Sequence, residues 1–179
     1  MYSNARIGDI VQAVLHADSK GSYFVETMAE SLRKGSDRET LRAVWRFVKD
    51  NIRYVRDPPR RELVKSPGAT WASKTGDCKS MSVMIGSLLR CLGYRYFYRV
   101  ARYDPKNPEQ GHIYPVALVN GREVIVDAVH DAFDREYDYW KKQDYSPQGM
   151  AAIGAVPDGR NHTALALGFL AVLAIMASR

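Results

Sequence analysis

Cysteine and histidine are scarce in this chain of 179 residues: two cysteines, Cys78 and Cys91, and four histidines. Two thiols exclude a disulfide scaffold and a four-cysteine zinc site. On one helix they would stand about 20 Å apart, so they cannot pair with each other either. His16, His112, His130 and His162 are scattered, and His130 with Asp131 and Asp134 makes only a loose cluster. Without a helical or paired-cysteine framework, no metal is expected there. There is no glycine-rich phosphate loop and no dinucleotide fingerprint, so no cofactor is implied. No internal repeat or low-complexity stretch is visible. Met1 to Lys20 holds no long apolar run and carries Arg6, Asp9, His16 and Asp18. It therefore does not read as a secretory signal peptide.

What is present is an ordinary globular composition. Hydrophobic residues are 46% and charged residues 26%, which excludes disordered and fibrous classes. The net charge of +6 permits an anionic partner without demanding one. Arg46, Lys49, Arg53, Arg56, Arg60, Arg61 and Lys65 crowd one stretch, and Arg90, Arg95, Arg99 and Arg102 follow. No helix-turn-helix, RRM or zinc pattern accompanies them, so they read as a solvated basic face and nucleic acid is not expected. Ser146 to Asn161 reads as a linker, and residues 162–179 as a hydrophobic tail with fifteen uncharged residues from Thr163 to Ala177. That tail predicts contact with a membrane or a protein assembly ahead of docking on its own domain, and so a cytoplasmic or a membrane- or virion-associated chain. The expected organisation is a helical segment over 1–35, a core over 36–145, the linker over 146–161 and the tail.

Two stretches, 5–17 and 22–34, have helical spacing of apolar residues, and Gly35 is a natural stop. Ser36 and Glu39 form a capping box for a helix with the stripe Leu41, Val44, Trp45, Val48 and Ile52. A loop containing Trp71 follows. Asp77 then caps a helix starting at Cys78, whose stripe Met81, Met84, Ile85, Leu88, Leu89 and Leu92 ends at Gly93. From Tyr94 to Tyr103 the period becomes two, as in a half-buried strand. His112–Val119 and Arg122–Asp127 are two more strands, joined by the hairpin signal Asn120-Gly121. Helices first and a small antiparallel sheet after make an α+β domain.

Three residues carry the chemistry: Cys78, His112 and Asp127. Cys78 opens a helix, where unpaired N–H groups and the helix dipole suit a nucleophilic sulfur. If Asn120-Gly121 is a two-residue turn, Val119 opposes Arg122 and Tyr114 opposes Asp127. His112 then shares a face with Asp127 as its diagonal neighbour, about 7–8 Å away at the backbone. The carboxylate can orient the imidazole and leave its other nitrogen for the thiol. A three-residue turn would put the pair on opposite faces. Cys91, among leucines late in the helix, reads as a core residue.

Gly76-Asp77-Cys78 opening an amphipathic helix, then His112 starting one strand and Asp127 ending the next, resembles the transglutaminase-like superfamily of papain-related cysteine enzymes. Asn51-Ile52-Arg53-Tyr54 resembles the end of the helix before the catalytic loop in small bacterial and phage-type members. The resemblance covers residues 36–130. In the large tissue-type enzymes a tryptophan usually follows the cysteine and another the histidine; here Lys79 and Ile113-Tyr114 stand there. The resemblance implies an oxyanion held by the Cys78 N–H and a second upstream donor, Trp71, with Lys74 as the alternative. It also implies thiol acyl transfer on a protein or peptide amide, toward hydrolysis rather than crosslinking. The alternatives are a protein crosslinker and an idle module serving a membrane or a virion.

Overall fold

The computed structural model describes residues 6–58 and 61–147. The linker and tail read from 146 onward lie outside these residues, apart from Ser146 and Pro147. No helix among the described residues is long and apolar enough to cross a membrane.

The helices are α1 (Ile7–Ser31), α2 (Asp37–Asn51), α3 (Pro67–Ser73) and α4 (Cys78–Cys91). The strands are β1 (Arg53–Tyr54), β2 (Thr75–Gly76), β3 (Arg95–Arg102), β4 (His112–Val119), β5 (Arg122–Ile125) and β6 (Lys141–Tyr145). The main sheet is antiparallel in the order β5-β4-β3-β6, while β1 and β2 form a short parallel pair. This is the α+β architecture expected from the order of the periodicities.

The two stretches read at 5–17 and 22–34 are one helix of 25 residues. Its buried stripe runs Val11, Val14, Asp18, Gly21, Val25 and Ala29, so an acid and a glycine interrupt the apolar signal without interrupting the helix. Gly21 is required by a close crossing: a Cβ there would lie 2.4 Å from Ser87 Oγ and 2.6 Å from Pro67 Cγ. Asp18 is buried and accepts from Tyr96 Oη at 2.6 Å and Arg90 Nη2 at 2.8 Å, which offsets the cost of its burial.

The Trp71 segment, read as a loop, is the short helix α3. Ser66 Oγ caps it by accepting from the Ala69 N–H, and Pro67 takes the first turn, where no N–H is needed. Helix α4 is buried on every side from Lys79 to Leu89, more than its single stripe implied. It packs on the sheet through β4 and β3, and α1, α2 and α3 also pack against it. Strand β6 escaped the sequence reading because Lys141–Tyr145 is polar. It pairs along the β3 edge from Tyr98 to Arg102.

Candidate active site

Local chemistry sets up the start of α4 at Cys78. Asp77 caps α4, its Oδ1 accepting from the Ser80 N–H at 3.1 Å, so Cys78 is the first helical residue. One turn later Ser82 Oγ donates to the Ile113 carbonyl at 2.8 Å. That bond ties the start of α4 to the start of β4 and sets Cys78 beside His112. Strand β1 holds the other side: Arg53 N–H donates to the Lys74 carbonyl and Val55 N–H to the Gly76 carbonyl, each at 2.9 Å.

The hairpin sets up His112. Asn120 and Gly121 have φ of 50° and 77°, the paired positive values of a two-residue turn. Val119 opposes Arg122 and Val116 opposes Ile125, the register that the two-residue turn requires. His112 and Asp127 therefore meet, with Nε2 and Oδ2 2.6 Å apart. The ring's Nδ1 is left for the sulfur. Asp127 is itself held: its Oδ1 accepts from the Val129 N–H at 3.0 Å, and its carbonyl from Trp45 Nε1 at 2.8 Å.

Burial opposes a charged imidazole, yet the His112 pKa is raised to about 10. The hydrogen bond and charge of Asp127, with the adjacent Cys78 sulfur, outweigh the burial. His112 is thus an imidazolium at neutral pH. Cys91 differs: burial pushes its thiol up, and its Sγ lies 3.2 Å from the Ser22 carbonyl.

The transglutaminase-like superfamily core matches residues 26–141, well over half of the chain. The chain belongs to this superfamily. No curated protein matches it. Among solved structures, a proposed protease from Parabacteroides distasonis is 15% identical with a TM-score of 0.54, over 65% of this chain and 26% of that one. A proposed cysteine protease from Cytophaga hutchinsonii is 19% identical with a TM-score of 0.48, over 68% of this chain and 42% of that one. Calcium-bound LapG from Legionella pneumophila is 18% identical with a TM-score of 0.49, over 69% of this chain and 75% of that one. The chain spans less than half the length of the first two. At these identities the likeness concerns the fold.

Several groups around the transglutaminase-like site were not legible in the sequence. His130 leaves its loose cluster, because Asp131 pairs with Lys49 and Asp134 with Arg38. Its ring stands edge-on to His112 at 5.2 Å, with Nε2 3.6 Å from Asp127 Oδ2. Burial lowers its pKa, so it is neutral beside the charged pair. Tyr54 lines the cleft that opens over Cys78. Its hydroxyl pKa is raised by burial and by the charges of Cys78 and Asp77, which keeps it a donor. Trp71 stacks on Phe47 at 5.4 Å with the Lys74 ammonium over its ring, and it is not among the residues lining that cleft.

Among the described residues, two side-chain clusters have metal-compatible spacing. One is His112, Asp127 and His130, and the other is Asp57, Glu62 and Asp77. The second already holds a cation. Lys79 is buried among those carboxylates, with Nζ 2.7 Å from Glu62, 3.2 Å from Asp57 and in contact with Asp77. Its ammonium supplies the charge a metal would bring. Lys79, the residue after the cysteine, thereby holds Asp57 and Glu62 beside the start of α4.

Proposed function

We propose that the chain hydrolyses an amide bond of a protein or peptide by thiol acyl transfer, with Cys78 as nucleophile, His112 as acid and base, and Asp127 as orienting group. The observation that carries this reading is the half-enclosed His112, bonded to Asp127 through Nε2 and lining one cleft with Cys78. An imidazolium there is the partner a thiolate nucleophile needs. Sγ would attack the carbonyl carbon, and the developing oxyanion would meet the Cys78 N–H at the helix start. We assign the second donor to the Tyr54 hydroxyl, which lines the cleft, in place of Trp71. The C–N bond breaks as His112 passes its proton to the leaving amine, and a thioester remains. Water then adds to the thioester, giving a proton to His112. The S–C bond breaks, and the acid leaves.

The test is iodoacetamide labelling at pH 6 to 7, read at Cys78 and Cys91 by mass spectrometry. Fast alkylation of Cys78 alone, suppressed in His112→Ala, is expected. Equal, sluggish labelling of both cysteines would refute an activated thiol.

A further inference from the structure

Residues 7–25 lie outside the stretch that matches the superfamily core, yet they build part of the site. A cleft of about 650 Å³ opens beside Cys78 and His112. One wall is apolar and comes from three places in the chain: Ile7, Ile10 and Val11 on α1, Val100 on β3, and Ile113 on β4. Val11, Val100 and Ile113 are buried, while Ile7 and Ile10 are only partly covered. The first turn of α1 closes against the residue before the histidine. A Cβ on Gly111 would lie 3.7 Å from Ile7 Cδ1 and 3.0 Å from Val100 Cγ1.

A helix needs only its inner stripe to be apolar in order to dock. On α1 that stripe is Val11, Val14, Val25 and Ala29. Ile7 and Ile10 are only partly covered and line the cleft, Ile7 while also packing against the core. The cleft falls within the usual size of ligand sites, so it has room for a side chain and its flanking backbone.

We infer that this wall is a specificity pocket, and that α1 selects substrates with a bulky aliphatic side chain, such as leucine or isoleucine, next to the scissile amide. The inference rests on the proposed acyl-transfer reading and names its substrate class. An aliphatic side chain seated against Ile7, Ile10, Val100 and Ile113 leaves water without unpairing any polar group. Discrimination by even one methylene in such pockets is about tenfold or more.

The experiment compares alkylation of Cys78 by three probes: iodoacetamide, N-isobutyl iodoacetamide, whose tail is the leucine side chain, and N-carboxymethyl iodoacetamide. Each rate is taken relative to iodoacetamide in the same protein, with Cys91 as the internal reference. The isobutyl probe is expected to gain about tenfold at Cys78 and nothing at Cys91, and the carboxymethyl probe to gain nothing at either. Ile7→Asp should erase the gain. An acid in the first helical turn suits the helix dipole, so this variant keeps α1. Ile10→Ser is the second variant, and it too should lower the ratio. A ratio near one at Cys78 in the unmodified chain, or a gain that survives both variants, would overturn the pocket. Slow iodoacetamide labelling of Cys78 would instead count against the acyl-transfer reading, since the ratio is independent of the absolute rate.

Discussion

Asp127→Asn isolates the charge that sustains the His112 imidazolium. The substitution keeps the fold: Asn Oδ1 can still accept from the Val129 N–H, and the Trp45 bond goes to the backbone. What disappears is the negative partner 2.6 Å from Nε2. Raising an imidazole from 6.5 to about 10 corresponds to about 5 kcal/mol of preference for the charged ring, at about 1.4 kcal/mol per pH unit. Burial opposes this, and Asp127 and Cys78 together supply it. A hydrogen bond to a charged group is worth about 1.5–3 kcal/mol of net stability. Taking that as the share lost with the carboxylate, the His112 pKa should fall by about one to two units, and the alkylation advantage of Cys78 over Cys91 should be lost at a correspondingly lower pH. The assay is the iodoacetamide rate across pH 5 to 9, with the His112 ring titrated by NMR in parallel. The ring should stay protonated to about pH 10 in the unmodified chain and titrate well below that in the variant. An unchanged rate profile together with an unchanged His112 titration would refute the reasoning.

The remaining predictions concern the scaffold. In the folded chain His112 holds its proton to about pH 10 against 6.5 when unfolded, so it contributes stability that is full below pH 6.5 and lost as pH rises through 10. Urea unfolding midpoints should fall over that window, and less steeply in Asp127→Asn. Lys79→Met leaves Asp57, Glu62 and Asp77 facing one another and should cost about 3–5 kcal/mol in urea unfolding at pH 7. Burial already raises the Asp77 pKa, so acid should recover part of that loss by protonating Asp77; a loss constant from pH 7 to 5 would count against it. Gly86→Ala would set a Cβ 1.9 Å from Tyr98 Oη, and overpacking of this kind costs about 1–3 kcal/mol, so its melting temperature should drop. A neutral result would mean that Tyr98 moves aside freely.

What the sequence by itself determined is what neighbouring residues settle among themselves. The helix that starts at Cys78 is written in Asp77, the apolar spacing from Met81 to Leu92, and Gly93, whose φ of 80° ends it. The hairpin is written in Asn120-Gly121, because two positive φ values in a row admit few other residues. The turn sets the register, and the register brings His112 to Asp127. Tertiary packing decided the rest. The continuity of α1 depends on Gly21 meeting Ser87 and Pro67. Polar β6 became a strand because β3 offered it an edge. Trp71 found Phe47, Lys79 found three carboxylates, and His130 turned to Asp127, none of which a local pattern encodes. The cleft wall is the clearest case. Ile7 and Gly111 meet across about a hundred residues of sequence only because α1 and β4 pack around the same central helix. Capping, periodicity and turn chemistry act within a few residues, whereas a pocket is the space left when distant surfaces close-pack.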